Sequence, residues 1–235
     1  MGLNWKSQNS LDTYILHLET ATKVCSVALS KNGHLEAFKE IEEDGYSHGE
    51  NLNLFIEHVC NELSISLNDL SAVSVASGPG SYTGLRIGAA TAKSLCYSLN
   101  IPLIAIDALT CLTELAKNKY SDINFCAVID ARRMEVYNLI IDSSGNVLKD
   151  ISADIIDENS YDEFMPFVCF GDGAEKLKEI WKNKDCIIDS TVLSSANGQT
   201  KLAYEMFKAK TFVDVAYWEP FYLKDFIAGK KKVSK

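Results

Sequence analysis

The sequence predicts an α/β protein of two similar lobes, each a mixed sheet carrying helices, made by an internal βββαβαβα duplication. Three observations carry this. Short apolar strands alternate with helical patterns along the whole chain instead of being segregated. The same succession of elements runs twice. Each copy places a Gly-x-Gly turn directly after its fourth strand, Gly78-Pro79-Gly80 in the first and Gly171-Asp172-Gly173 in the second.

In the first copy, Tyr14–Leu18, Cys25–Ser30 and Leu35–Ile41 are strands joined by polar turns such as Lys31-Asn32-Gly33. A helix from about His48 to Leu63 follows, because Leu52, Phe55, Ile56, Val59 and Leu63 keep the i, i+3, i+4, i+7 spacing. The strand 72–76, the glycine turn, a helix to about Leu99, the strand Leu103–Ile106 and a helix over 109–119 complete the unit. The second copy offers the strands Phe125–Ile129, Val136–Ile141 and Val147–Ile151, with Ser143-Ser144-Gly145-Asn146 as a hairpin turn. A short helical stretch at 160–164, the strand Phe167–Phe170, a helix from Ala174 to about Asn183, the strand Cys186–Ile188 and a helix over 194–208 follow. With no Pro- or Ser-rich linker, the boundary falls near 118–123. The expected organisation is a disordered leader (1–13), two lobes (14–118 and 119–225) and a basic tail (226–235).

A chain of 235 residues with 47% hydrophobic and 23% charged residues reads as a soluble globular protein. No apolar run reaches membrane-spanning length and the first ten residues lack a signal-peptide core, so no membrane partner is expected. Seven cysteines are dispersed without a CxxC pair, which fits reduced core thiols and a cytoplasmic location. A net charge of −9 argues against autonomous nucleic-acid binding. The one basic run is Lys230-Lys231-Lys232 with Lys235, a solvated tail or an RNA-touching one. Of 23 basic residues only Arg86, Arg132 and Arg133 are arginine, and all three fall inside the most motif-like segments.

The most informative of these segments is Ser77-Gly78-Pro79-Gly80-Ser81-Tyr82-Thr83-Gly84-Leu85-Arg86-Ile87-Gly88. Gly78 and Gly80 make a turn free of side chains. Ser81 or Thr83 can cap the helix that follows, and Gly84, Gly88 and Ala92 recur every four residues as a bare stripe. A strand, a glycine turn and a helix N-terminus can cradle a phosphate; they equally make a tight βα connection under a closely packed helix.

Two such lobes resemble the actin-like (ribonuclease H-like) ATPase superfamily, and specific segments narrow the resemblance. Ile15 to Leu29, Ser77 to Leu95, Ile101 to Ile106 and Asp130-Ala131-Arg132-Arg133-Met134-Glu135-Val136-Tyr137 are similar, in order, to motifs of the bacterial TsaB (YeaZ) family. Gly171-Asp172-Gly173-Ala174 and Phe221-Tyr222-Leu223 add to the match. The resemblance implies a dimerisation and scaffold subunit, not itself catalytic, of the complex that makes N6-threonylcarbamoyladenosine beside the tRNA anticodon. Its implied partners are the catalytic paralogue TsaD, the P-loop ATPase TsaE and, in isolation, a second copy of the chain, with tRNA reached only through the complex.

The same resemblance supplies a check. The paralogue's His-x-x-x-His metal pair aligns with Ala108 and Leu112, which carry no donor, so no metal site and no metallopeptidase activity are expected. A vestigial nucleotide site would comprise Glu19, Thr20, Thr22, Gly78, Gly80, Ser81, Asp130, Gly171 and Gly173. Glu19 could hold a hydrated Mg²⁺ or merely cap its hairpin. ATP or ADP with Mg²⁺ would bind weakly there, the partner subunits being the main nucleotide carriers. The alternative function is a self-sufficient actin-like ATP-dependent phosphotransferase or carbamoyltransferase using Glu19 and Asp130. The partner interface is expected on two helix stripes, Leu52, Phe55, Ile56 and Val59 on the first and Gly84, Leu85, Gly88 and Ala92 on the second, with Leu54, Ile87, Cys96 and Tyr97 as surplus apolar positions.

Overall fold

The computed structural model describes residues 12–42 and 48–224; most of the expected leader and all of the expected basic tail lie outside the described residues. In the first half, β1 (Tyr14–Glu19), β2 (Val24–Lys31) and β3 (His34–Glu42) form an antiparallel meander. Helix α1 (His48–Glu62), β4 (Leu70–Ala76), α2 (Tyr82–Leu99), β5 (Leu103–Ile106) and α3 (Ala108–Lys117) follow. The second half runs β6 (Asn124–Asp130), β7 (Glu135–Ile141), β8 (Val147–Ile155), β9 (Phe167–Phe170), β10 (Cys186–Asp189) and α4 (Thr200–Lys208).

The duplication shows in the topology. The first sheet is ordered β3-β2-β1-β4-β5 and the second β8-β7-β6-β9-β10, the same order in each lobe. In both, the first strand pairs antiparallel with the second and parallel with the fourth. The central strands are buried on both faces and read as near-continuous apolar runs, as β4 (Leu-Ser-Ala-Val-Ser-Val-Ala) does.

The helices are not duplicated as evenly as the sequence pattern suggested. The expected helices at 160–164 and 174–183 are 3-10 turns at Asp162–Phe164 and Glu175–Leu177. Tertiary anchors override helix propensity there. Trp181 is fully buried, packs edge-on against Tyr161 and Phe167 at 5.8 and 5.6 Å, and donates its indole N–H to Asp157 O at 2.9 Å. One α-type bond survives beside these turns, Trp181 N–H to Leu177 O at 2.9 Å.

The last helix of each unit crosses to the other sheet. Ala108, Leu109, Leu112 and Ala116 of α3 pack with Phe125, Ala127, Ile129, Val168 and Phe170 of the second sheet. Ala203 of α4, with Leu202, Met206 and Phe207, packs against Ile15, Ala72 and Ile104 of the first. A buried polar relay ties the same segment down. Gln199 donates to Leu18 O at 2.9 Å and accepts from Ser74 Oγ at 2.6 Å. With its hydrogen committed to Gln199, Ser74 Oγ accepts from His17 Nδ1 at 2.6 Å, so His17 is the Nδ1–H tautomer and takes the Ser30 hydroxyl at Nε2, 2.7 Å away. Burial lowers the His17 pKa to about 3.

The chain then returns over the first lobe as a strap. Val213 bridges Leu103, Lys93 Nζ donates to the carbonyls of Ala216 and Trp218, and Phe221 N–H donates to Ser77 O at 2.7 Å. Tyr222 stacks at 4.9 Å on Tyr82, and Lys224 pairs with Glu135 at the start of β7. The strap therefore joins the two lobes.

Candidate functional site

The glycine turns and the first hairpin meet at the cleft between the lobes. Gly80 lies against the β1–β2 turn so closely that a Cβ would stand 2.2 Å from Ala21 O, and Ser81 N–H donates to that same oxygen at 2.6 Å. Ser81 Oγ caps α2 by accepting from Gly84 N–H at 3.2 Å. On the far side, Gly78 adopts φ +104° beneath the strap, where a Cβ would lie 2.6 Å from Phe221 O. The second turn repeats the arrangement: Gly171, at φ +112°, would put a Cβ 2.0 Å from Val128 O, and Gly173 N–H donates to that carbonyl.

Glu19 ends β1 at the cleft floor, wholly buried. Its Oε1 accepts the Ala21 N–H at 2.7 Å, while Oε2 is buried with no hydrogen-bond partner among the described residues. Burial, opposed by the Ala21 and Thr20 amides and reinforced by the Asp172 charge, raises its pKa to about 7. Asp172 comes from the other lobe and is likewise pushed up by burial. It accepts from Asp130 N–H at 2.9 Å. Asp130 itself sits at the exposed rim, paired with Lys176 and accepting from Arg132 N–H at 2.9 Å. The structure thus brings Glu19 together with Asp172, a partner that the sequence-based set did not include, and leaves Asp130 outside.

The hydroxyls expected to face a nucleotide differ in what they have left to offer. Thr20 Oγ1 donates to Gly84 O at 2.8 Å, Thr22 Oγ1 accepts from Val24 N–H at 3.2 Å, and the Ser81 hydroxyl is a helix cap. Thr20 spends its hydroxyl hydrogen on Gly84 O, whereas Thr22 and Ser81 accept and keep theirs. Among the described residues no group of three or more His, Cys, Asp or Glu is arranged to hold a metal ion. Ala108 and Leu112 are fully buried in the α3 interface with the second sheet.

The expected partner stripes also need correction. Leu52, Phe55, Ile56, Val59, Leu85 and Ala92 are all buried in the protein's own core, and Gly84 and Gly88 are buried with them. The glycines are bare because the β1–β2 turn requires it. A Cβ on Gly84 would stand 2.0 Å from Thr20 O, and one on Gly88 2.4 Å from Thr20 Oγ1. Periodicity identified a close approach correctly but could not tell a neighbouring chain from the chain's own hairpin. Of the surplus positions, Leu54 and Tyr97 are 60% and 83% exposed, whereas Cys96 is buried.

Sequence reasoning also missed the His17–Ser74–Gln199 relay. Its one signal is a polar residue at the middle of two central strands, His17 in Ile-Leu-His-Leu and Ser74 in Val-Ser-Val, which are register partners.

Two sheets of identical order facing a cleft, with crossed terminal helices, define a two-lobed actin-like protein. Comparison with known proteins specifies it further. Residues 42–209 match the family model described as TsaD, tRNA N6-adenosine threonylcarbamoyltransferase. A relative from Escherichia coli (strain K12), the tRNA threonylcarbamoyladenosine biosynthesis protein TsaB, is 29% identical over 94% of this chain and 99% of its own length. One of the same name from Bacillus subtilis (strain 168) is 35% identical over 53% of this chain and 48% of its own. The solved structure of YeaZ from Pseudomonas aeruginosa superposes with a TM-score of 0.77, at 22% identity, over 90% of this chain and 100% of that one. The chain belongs to the tRNA N6-adenosine threonylcarbamoyltransferase family, and within it to the TsaB (YeaZ) group.

Proposed function

We propose that this chain is the scaffold subunit, without catalysis of its own, of the complex that places threonylcarbamoyl on the adenosine beside the tRNA anticodon. It pairs with the catalytic TsaD paralogue, self-associates in isolation, is joined by TsaE, and acts in the cytoplasm, where tRNA is found. One observation carries the reading. The chain matches the transferase family over 42–209, yet Ala108 and Leu112, where the family resemblance would put the paralogue's metal ligands, are buried in an apolar interface without donor atoms. The Thr20 hydroxyl, already donated to Gly84 O, and the buried, readily protonated Glu19 weigh the same way, against a self-sufficient phosphotransferase. No helix among the described residues is long and apolar enough to cross a membrane.

With the glycine stripe turned inward, the docking face moves to the outer side of the same helices. Leu54 of α1 and Tyr97 of α2 stand exposed, and α2 presents the small Ala90 and Ser94 beside Tyr97. A large aromatic next to small residues on a firm helix is the composition of an association hot spot.

The decisive experiment is mass-spectrometric quantification of threonylcarbamoyladenosine in tRNA incubated with the activated threonylcarbamoyl donor and the paralogue, with and without this chain. Modification that needs both proteins, and none from this chain alone, is the expected outcome. Modification by this chain alone, or no effect of adding it, overturns the reading.

A further inference from the structure

The strap has two unlike halves. Over 213–218 it is knit to itself and to the first lobe. Val213 N–H donates to Leu103 O at 3.0 Å, Trp218 N–H to Asp214 O at 2.8 Å, and the Asp214 carboxylate accepts the Ala216 N–H at 2.8 Å. Val215 is buried, and Lys93 Nζ holds the carbonyls of Ala216 and Trp218 together. From Glu219 to Lys224 none of this continues. No side chain there is buried, and Pro220 has no N–H to give. Among the described residues one main-chain hydrogen bond fixes the segment, Phe221 N–H to Ser77 O at 2.7 Å. Tyr222 adds its ring contact with Tyr82, and Tyr222 and Leu223 rest partly buried on the cluster that holds α3 to the second sheet. Lys224 pairs with Glu135 where the two side chains are still 36% and 24% exposed.

The seat beneath this second half is built from elements that do not depend on it. Gly78 belongs to the β4–α2 turn, and a Cβ on it would meet Phe221 O at 2.6 Å and Leu85 Cδ1 at 3.1 Å, so only a bare residue lets an extended main chain lie there. Ser77 O supplies the acceptor, and the Tyr82 ring, with Arg86 at 5.5 Å over it, supplies the stacking face. Glu135 supplies the charge from the second lobe. Its backbone is fixed at the start of β7, donating to Arg132 O at 3.2 Å and accepting from Ala131 N–H at 3.1 Å. The other fasteners between the lobes are of another kind: Ala108, Leu109, Leu112 and Ala116 of α3, and Gln199 and Ala203, are all fully buried. Segments with few buried contacts open locally at far lower cost than a buried core.

We infer that residues 219–224 are a releasable latch, and that the seat under them accepts an extended peptide segment with an aromatic residue followed two positions later by a cation, the chain itself being the resting occupant. Release leaves α3 and α4 docked and frees Ser77 O, Gly78, the Tyr82 ring and Glu135 together. A partner segment of the same chemistry then takes the main-chain bond, the stacking face and the charge in place of Phe221, Tyr222 and Lys224. Because both compete for one seat, the latch lowers the apparent affinity of such a segment by the fraction of chains in which it is open.

Amide hydrogen exchange on the full chain gives the first reading. The Phe221 amide should exchange faster than those of Val213 and of Leu112 in α3, by about tenfold or more. Lys224→Glu sets two carboxylates face to face and should speed Phe221 by about tenfold again while leaving Leu112 unchanged; adding Glu135→Lys should restore the original rate. Equal rates at Phe221 and Leu112 overturn the inference, because the segment would then leave only when the lobes part. A charge reversal without effect overturns it too. The second reading uses a fluorescent, end-capped peptide with the sequence of residues 217–224. It should bind the Lys224→Glu chain, whose seat is intact and vacated, about tenfold more tightly than wild type, the factor by which exchange rises. That gain should vanish when Glu135→Lys is added. Equal binding to wild type and to Lys224→Glu, or none to either, overturns the assignment of the seat. Neither reading involves tRNA modification, so their failure leaves the function proposed above standing.

Discussion

Replacing Glu19 by glutamine should reshape the pH dependence of stability in a way that only a buried, protonated carboxyl can produce. Folding raises the Glu19 pKa from its ordinary 4.5 to about 7. A group whose pKa rises on folding contributes stability that is fully present below the unfolded value and is lost as pH climbs through the folded one. At about 1.4 kcal/mol per tenfold change in proton affinity, that loss is about 3 kcal/mol between pH 4.5 and 7. His17 works in the opposite sense. Its pKa falls from 6.5 to about 3 on burial, so it costs stability progressively as pH drops below 6.5. Between pH 4.5 and 6.5 the two slopes nearly cancel, and the wild-type protein should show little net dependence from this pair.

Glutamine keeps the Oε1 acceptor for Ala21 N–H and removes the titration, and any cost of its amide is independent of pH. Urea denaturation followed through the fluorescence of buried Trp181 gives the comparison. The stability of wild type relative to Glu19→Gln should fall by about 3 kcal/mol from pH 4.5 to 7.5 and stay level above that. The variant alone should gain about 1.4 kcal/mol per pH unit from 4.5 to 6.5, His17 being unmasked. A difference between the two proteins that does not change with pH refutes the reasoning, because it would mean that Glu19 is ionised in the fold and has an unseen counter-charge.

Three further outcomes follow from the same packing. Gly84→Ala, adding a Cβ 2.0 Å from the Thr20 carbonyl, should cost about 3 kcal/mol in a urea titration; the folded fraction should still bind the paralogue, and a stable variant that fails to bind would return the stripe to the interface. Gln199→Leu, near in volume but unable to hydrogen-bond, strands Leu18 O and the Ser74 hydroxyl and should cost about 3 kcal/mol; a midpoint within error of wild type would show the relay to be dispensable. Tyr97→Glu, on an 83%-exposed ring, should leave stability within about 0.5 kcal/mol. It should also weaken self-association and paralogue capture at least tenfold in sedimentation, and unchanged assembly would exclude the outer α2 face.

Local patterning made most of the fold legible. The Leu52–Phe55–Ile56–Val59 spacing marks α1, the apolar run before Gly78 marks β4, and the repeated Gly-x-Gly turn exposes the shared sheet order. The failures have one cause. At 174–183 the pattern is helical and Trp181 N–H still donates to Leu177 O, but the turn before it is 3-10, which spacing alone does not distinguish from α-helix. At Gly84 the pattern shows that something comes close, and only the fold reveals it to be Thr20. The influence of the Asp172 charge on Glu19 acts between lobes, which spacing within one segment does not encode.

These contacts bear on how the two lobes are held against each other. A buried unpartnered carboxyl between two lobes would be relieved by their separation, because water would solvate it. Here opening is opposed at three places: by α3 lodged on the second sheet, by Gln199 and α4 lodged on the first, and by the strap from Ser77 to Glu135. The several kilocalories invested in those apolar and polar contacts exceed the cost of about 3 kcal/mol for leaving Glu19 buried near neutral pH. The two lobes are thus fastened to each other by non-covalent contacts made within one chain. A body fixed in this way offers the helices at its surface as a firm platform, which suits a subunit whose task is to hold others in place.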